Sequence, residues 1–230
     1  MSLTAQYLFK LFKMPDFFGV NRYCNICGFR FAKFATTGLI PREARCPVCE
    51  SLERHRHLYI HLLPLLPFLK GKRVLHFAPE KIIKDFFTHS DAEYFDVDIE
   101  KGRASYQIDI TRIDFEDNFF DYCIAIHVLE HIVDDAKAFS ELYRVLKPGG
   151  TAFLAVPAER KAFEDYSVVA PIDRLKTFGQ GDHVRIYSQD LFEERILAAG
   201  FTVQTSTPSA FPDEMREACK LGDVITLAKK

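Results

Sequence analysis

The stretch "FEDNFFDYCIAIHVLEHIVDDAKAFSELYRVLKPGGTAFLAVP", residues 115–157, decides the fold. Its first part holds a short apolar run, "DYCIAIH" (121–127), of the kind a strand covered on both faces shows. Apolar residues then recur at helical spacing through "DDAKAFSELYRVL", with Asp134 or Asp135 placed to cap the start. The helix must stop at "KPGG", because Pro148 and the glycine pair cannot continue it. A second apolar run, "GTAFLAVP" (150–157), follows directly.

The same rhythm continues outward on both sides. Upstream lie "RVLHFA" (73–78), "AEYFDV" (92–97) and "SYQID" (105–109); downstream lie "FTVQTST" (201–207) and "DVITLAK" (223–229). Helical stretches "PEKIIKDFFTH" and "SQDLFEERILAAG" fall between them, the latter with Ser188 as cap and Gly200 at its C-terminal end. Strands alternating with amphipathic helices predict an α/β fold: seven strands, mostly parallel, with helices on both faces. Three segments are expected: an N-terminal helix over 1–20, a small cysteine-bearing module with its following helix over 21–61, and the α/β domain over 62–230.

The central stretch resembles the corresponding part of class I S-adenosylmethionine-dependent methyltransferases of the small type, whose sheet is Rossmann-like. The likeness lies in "FFD" entering the fourth strand, the "HVLEH" turn, and a helix ending in "LKPGG" before the fifth strand; "DHVRIYSQDLFEERILAAGF" (182–201) is similar to a later segment of the same enzymes. It extends over about residues 70–229 and implies methyl transfer from S-adenosylmethionine to an acceptor that the residues do not name. Position by position, the resemblance places the family's first motif on "HFAPEKI", with His76 for its acid and Ala78, Glu80 and Ile82 for its glycines. His76, Phe77, Ala78, Pro79 and Glu80 are then the expected contacts to the methionine end of the cofactor. The ribose-binding acid corresponds to Asp98, followed by Ile99, and the adenine-side acid to Asp109, followed by Ile110; His127 and Leu129 stand on the turn after the fourth strand.

The missing glycines bear on which cofactor fits. In dinucleotide folds they let the backbone close on a pyrophosphate at a helix N-terminus. S-adenosylmethionine has no phosphate, so a compact bend at "APE" suffices, with Pro79 suited to the first helical position and Glu80 to the first turn. A nicotinamide dehydrogenase is excluded by the lack of any G-x-G-x-x-G. A non-catalytic binding protein with a degenerate cofactor motif is the competing reading.

Methyl transfer needs alignment of donor and acceptor, and a base only where the acceptor must lose a proton. Candidates lie on the "HVLEH" turn and in "FGQGDHVRIYS", where Asp182, His183, Arg185 and Tyr187 supply base, cation and phenol; His183 is the expected substrate-side base. Residues 158–178 interrupt the strand-helix rhythm and read as an active-site cover or as connecting structure.

Four of the six cysteines fall in two C-x-x-C pairs, Cys24 with Cys27 and Cys46 with Cys49, separated by 18 residues. Each pair presents two thiolates from one tight turn, and the intervening hairpin, in which "FRFAKF" alternates like a strand, brings the pairs together as a structural zinc ribbon. Gly28 and Pro47 suit the turns. Disulfides are argued against by the lack of a secretory signal, and redox pairs by the lack of a βαβ context around them. Cys123 reads as a buried thiol and Cys219 as a surface thiol.

Charge is uneven. Residues 1–61 hold nine Lys/Arg against four Asp/Glu, which leaves about minus seven for the rest. A basic module suits nucleic acid or another acidic partner, with Arg54, Arg56, His55, His57 and His61 as an anion-binding face; a solvated basic surface with packed histidines is the other reading. The longest apolar run, "LLPLLPFL" (62–69), is far short of the roughly 18 residues a membrane span needs. A cytoplasmic protein is expected.

Overall fold

The computed structural model describes residues 14–38 and 41–230. The expected N-terminal helix falls mainly on residues 1–13, outside the described residues; within 14–20 the chain makes one 3-10 turn, Pro15–Phe17. The chain forms two compact units, one of residues 1–66 with 207–223 and the other of 67–206 with 224–230. The segment 207–223, which the sequence reading gives to the α/β domain, therefore clusters with the cysteine-bearing residues.

In the first unit, strands β1 (Arg22–Tyr23) and β2 (Arg30–Phe31) pair antiparallel, as do β3 (Ala35–Thr37) and β4 (Arg42–Arg45). "FRFAKF" is thus not one strand: it breaks after Phe31, so that Phe31 and Phe34 both turn into the core and meet edge to face at 4.9 Å. Helix α1 (Glu53–Leu62) follows. Its Arg56 is fully buried, with the guanidinium 4.1 Å from the centre of the Phe34 ring and donating to the carbonyls of Ser51, Ala44, Cys219 and Lys220. His57 is buried too, its Nδ1 2.9 Å from the Asp223 carbonyl. The anion-binding face is corrected accordingly: Arg56 and His57 are spent on backbone oxygens, since a buried cation without partners would be costly. Cys219, expected at the surface, is buried at the end of the helix Asp213–Cys219.

In the second unit, seven strands form one sheet: β5 (Arg73–Phe77), β6 (Glu93–Asp98), β7 (Tyr106–Gln107), β8 (Phe120–Ile126), β9 (Leu146–Ala155), β13 (Thr202–Ser206) and β14 (Ile225–Lys229). Their order is β13-β14-β9-β8-β5-β6-β7, with the five from β9 to β7 parallel and β14 antiparallel to both its neighbours. Alternation sends Leu75 and Phe77 of β5 to one face and Val74 and His76 to the other. On the first face they join a core with Phe139, Leu142, Phe192 and Ile196 from helices α3 (Asp135–Val145) and α5 (Gln189–Ala198). Asp134 caps α3 by accepting the Lys137 N–H at 3.0 Å, and Ser188 caps α5 through the Leu191 N–H.

Residues 158–188 make a structured insert: β10 (Ala158–Glu159) and β11 (Phe163–Glu164) flank β12 (Arg185–Ser188), with helix α4 (Pro171–Phe178) between β11 and β12. Arg185, fully buried, holds the insert together. It pairs with Asp135 and Glu164 and donates to Tyr187, Tyr166 and the Val133 carbonyl. Arg195 pairs with the same two carboxylates. Burial would raise the Asp135 carboxyl, but donors from Arg185, Tyr187 and Arg195 hold it below the ordinary range.

Candidate active site and metal centre

At the carboxyl edge of the parallel strands, where open α/β sheets bind ligands, a cleft is lined by Phe77, Ala78, Asp98, Ile99, Asp109 and Ile110. All six were expected from the sequence. Ile108, Val128 and Ile132 complete it, and sequence reasoning missed them, although alternation on the turn after β8 could have pointed to Val128. Leu129, expected there, is fully buried in the core instead, and Pro79 and Glu80 do not line the cleft. His76 turns to the opposite face of the sheet and bonds Tyr94 at 2.8 Å. By strand parity it shares that face with Asp96 and Asp98 of β6, while Phe77 takes the other.

Two residues at this edge hold the left-handed backbone that favours glycine: Ala78 after β5 (φ 46°) and His127 after β8 (φ 56°). Such conformations concentrate at functional sites. Helix α2 (Lys81–Thr88) starts two residues later than expected, with Glu80 as the extended N-cap residue, so Pro79 lies outside it.

Asp98 ends β6 with Oδ1 accepting the Glu100 N–H at 2.8 Å, and Asp109 Oδ1 accepts both the N–H and hydroxyl of Thr111. Among the described residues neither carboxylate's second oxygen has a hydrogen-bond partner. The cleft encloses about 70 Å³, against roughly 300 Å³ or more for sites that enclose a drug-sized ligand. Ile99, on the rim of the cleft, is 60% exposed. In chemistry, though not in its present volume, an apolar slot between two carboxylates suits an adenosine, which needs apolar faces and hydroxyl-accepting carboxylates.

A larger cavity, about 840 Å³, opens under the insert, lined by Pro157, Arg160, Lys161, Phe178, Gln180 and His183 among others. His183 is 5% exposed, and burial, with His131 nearby, lowers its pKa to about 4. The fold brings it to the "HVLEH" turn: its ring lies 4.8 Å from that of His131, and the Val184 N–H bonds the Glu130 carbonyl at 3.0 Å. Glu130 is buried, with Oε1 3.9 Å from both His127 Nδ1 and His131 Nε2. Arg185 and Tyr187, expected as substrate-side cation and phenol, are consumed by the buried network with Asp135.

The four predicted cysteines converge in the first unit, their sulfurs all within 4.8 Å of one another. Cys24 and Cys49 are 3.6 Å apart and Cys27 and Cys46 3.8 Å. Four thiolates at 2.3 Å from a tetrahedral ion stand about 3.8 Å apart, so this site could hold a metal. The two turns are built alike: the Gly28 N–H bonds the Cys24 carbonyl and the Glu50 N–H that of Cys46, with positive φ at Gly28 (75°) and at Glu50 (68°).

Residues 85–154 match the family model of a methyltransferase domain. The α/β unit has the fold of class I S-adenosylmethionine-dependent methyltransferases, in the strand order given above. Over 78 residues, 34% of this chain and 16% of the relative, the sequence is 42% identical to phosphoethanolamine N-methyltransferase 2 of Caenorhabditis elegans. It is 22% identical over 210 residues to sterol 24-C-methyltransferase of Yarrowia lipolytica, covering 78% of this chain and 54% of that protein. The chain thus spans about half or less of the length of these relatives. Among solved structures, phosphoethanolamine N-methyltransferase 2 of Haemonchus contortus in complex with S-adenosyl-L-methionine superposes with a TM-score of 0.52 at 17% identity, over 75% of this chain and 52% of that one.

Proposed function

We propose that the chain transfers a methyl group from S-adenosylmethionine to an acceptor bound in the cavity under the insert. The observation that carries this reading is the cleft at the carboxyl edge of β5, β6 and β8, with Asp98 and Asp109 each presenting an unengaged carboxylate oxygen beside apolar walls. Asp98 accepts the ribose hydroxyls, and Asp109 the adenine amino group. Ile99, Ile110 and Val128 pack the base, and the backbone bend at Ala78 serves the methionine end. When bound, S-adenosylmethionine supplies an electrophilic methyl carbon on a positively charged sulfur. The rest of the catalysis is placement: the "HVLEH" turn and the Ile132 after it show Val128 and Ile132 to the cleft, while the turn's Glu130 and His131 meet His183, which lines the cavity. His183 is the residue placed to receive the acceptor.

The four thiolates we assign to structural zinc, because the sulfur spacing matches its tetrahedron; the buried Arg56 guanidinium lies beside their negative charge. The methyltransferase reading is tested by calorimetric titration with S-adenosylhomocysteine. Binding is expected for the wild-type chain and a loss of at least tenfold for Asp98→Ala; equal affinities would remove Asp98 from the site.

A further inference from the structure

We propose that Glu130, His131 and His183 form a second metal site, for a divalent transition ion of the borderline kind, opening toward the acceptor cavity. One carboxylate and two imidazoles are the donors that such ions prefer when open positions remain for water or substrate. One ligand atom from each residue lies within 4.8 Å of the others, and two of the three side chains are buried at 1% and 5% exposure.

The orientation of the imidazoles supports the assignment. His131 Nδ1 faces the Asp182 carbonyl at 3.3 Å and its carboxylate at 3.5 Å, which leaves Nε2 aimed at Glu130. Backbone of Phe178 is a hydrogen-bonding neighbour of the His183 ring. Ligating histidines are held this way, with one nitrogen on a protein oxygen and the other on the ion.

Distances set what must move. Ligand atoms at about 2.1 Å from a tetrahedral ion stand about 3.4 Å apart, and His131 Nε2 is 3.9 Å from Glu130 Oε1. That pair closes by about half an ångström, and the His183 nitrogen, within 4.8 Å of both, by no more than about 1.4 Å. Glu130 and Asp182 also leave the spot acidic, while Arg185 close by is already neutralised by Asp135 and Glu164.

Resting on the methyltransferase reading, the site implies an acceptor that coordinates the ion through oxygen, held between the ion and the cofactor cleft, with the ion rather than a protein base polarising it. The substrate class is then an oxygen-chelating small molecule, such as one with adjacent hydroxyl or carbonyl oxygens.

The test uses the full chain with its thiolate site filled. Cobalt(II) titration should add one equivalent whose visible bands lack thiolate charge transfer. His183→Ala and Glu130→Gln should each lose that equivalent, while the Cys46→Ser, Cys49→Ser double variant keeps it. A wild-type readout needs no variant: manganese(II) should broaden the imidazole C–H resonances of His131 and His183 before those of His57 and His89. No second equivalent, or a second equivalent that survives both single variants, would overturn the site. Because metal uptake is read without cofactor, failure here is distinct from failure to bind S-adenosylhomocysteine.

Discussion

Arg185→Met should detach the insert from the body of the α/β unit. The wild-type guanidinium is fully buried, bonded to the Tyr187 hydroxyl at 3.0 Å, the Tyr166 hydroxyl at 2.8 Å and the Val133 carbonyl at 2.7 Å, and paired with Asp135 and Glu164. Methionine fills similar volume but makes none of these bonds. Breaking a buried pair by removing one partner costs about 3–5 kcal/mol, because the remaining charge is left uncompensated. Here Arg195 still reaches both carboxylates, at 2.8 Å for Glu164, so the low end, about 3 kcal/mol, is expected. For a unit of this size that is a fall in Tm of about 6–12 °C. Calorimetry on wild type, Arg185→Met, Arg195→Met and the double variant gives the coupling: the double loss should exceed the sum of the singles, since the second removal strands Asp135 and Glu164. A loss under about 1 kcal/mol for Arg185→Met would refute the claim that this network fixes the insert.

Glu141 accepts from Arg144 and from the Ile113 N–H, which holds its pKa down to about 2 despite burial. Its contribution, up to about 3 kcal/mol, is full above the ordinary carboxylate value near 4.5 and vanishes as pH falls through 2. Wild type and Glu141→Gln should therefore differ in urea denaturation at pH 7 and converge toward pH 2; a constant gap would contradict this. Ala78→Gly should raise stability by about 0.5 kcal/mol, the relief of left-handed alanine less the entropy glycine adds to the unfolded chain; a loss of 1 kcal/mol or more would show the bend is unstrained. Replacing Cys46 and Cys49 with serine should abolish zinc in elemental analysis of the thiolate site and unfold the first unit by near-ultraviolet circular dichroism; retained zinc would exclude the four-thiolate shell.

The sheet and the cysteine cluster were legible because each depends on local pattern: apolar runs of strand length, stop signals at "KPGG", and two short thiol spacings. Asp98 and Asp109 were placed through the family resemblance, and both line the edge cleft. His76, which the resemblance gives to the cofactor, is buried and bonded to Tyr94, a partner that a motif position alone does not reveal. Arg56 and Arg185 look like surface cations in a sequence, since only the folded chain shows the carbonyls and carboxylates that make their burial affordable. The meeting of His183 with Glu130 and His131 joins residues more than fifty positions apart, and no local periodicity encodes it.

The central claim is that the edge cleft receives an adenosine with Asp98 on its ribose, and a crystal structure of the chain with S-adenosylhomocysteine tests it most directly. The account predicts ribose hydroxyls about 2.5–3.0 Å from the Asp98 carboxylate, with Ile99 displaced outward. Ligand bound elsewhere, or ribose density with Asp98 still turned only to the Glu100 N–H, would contradict it.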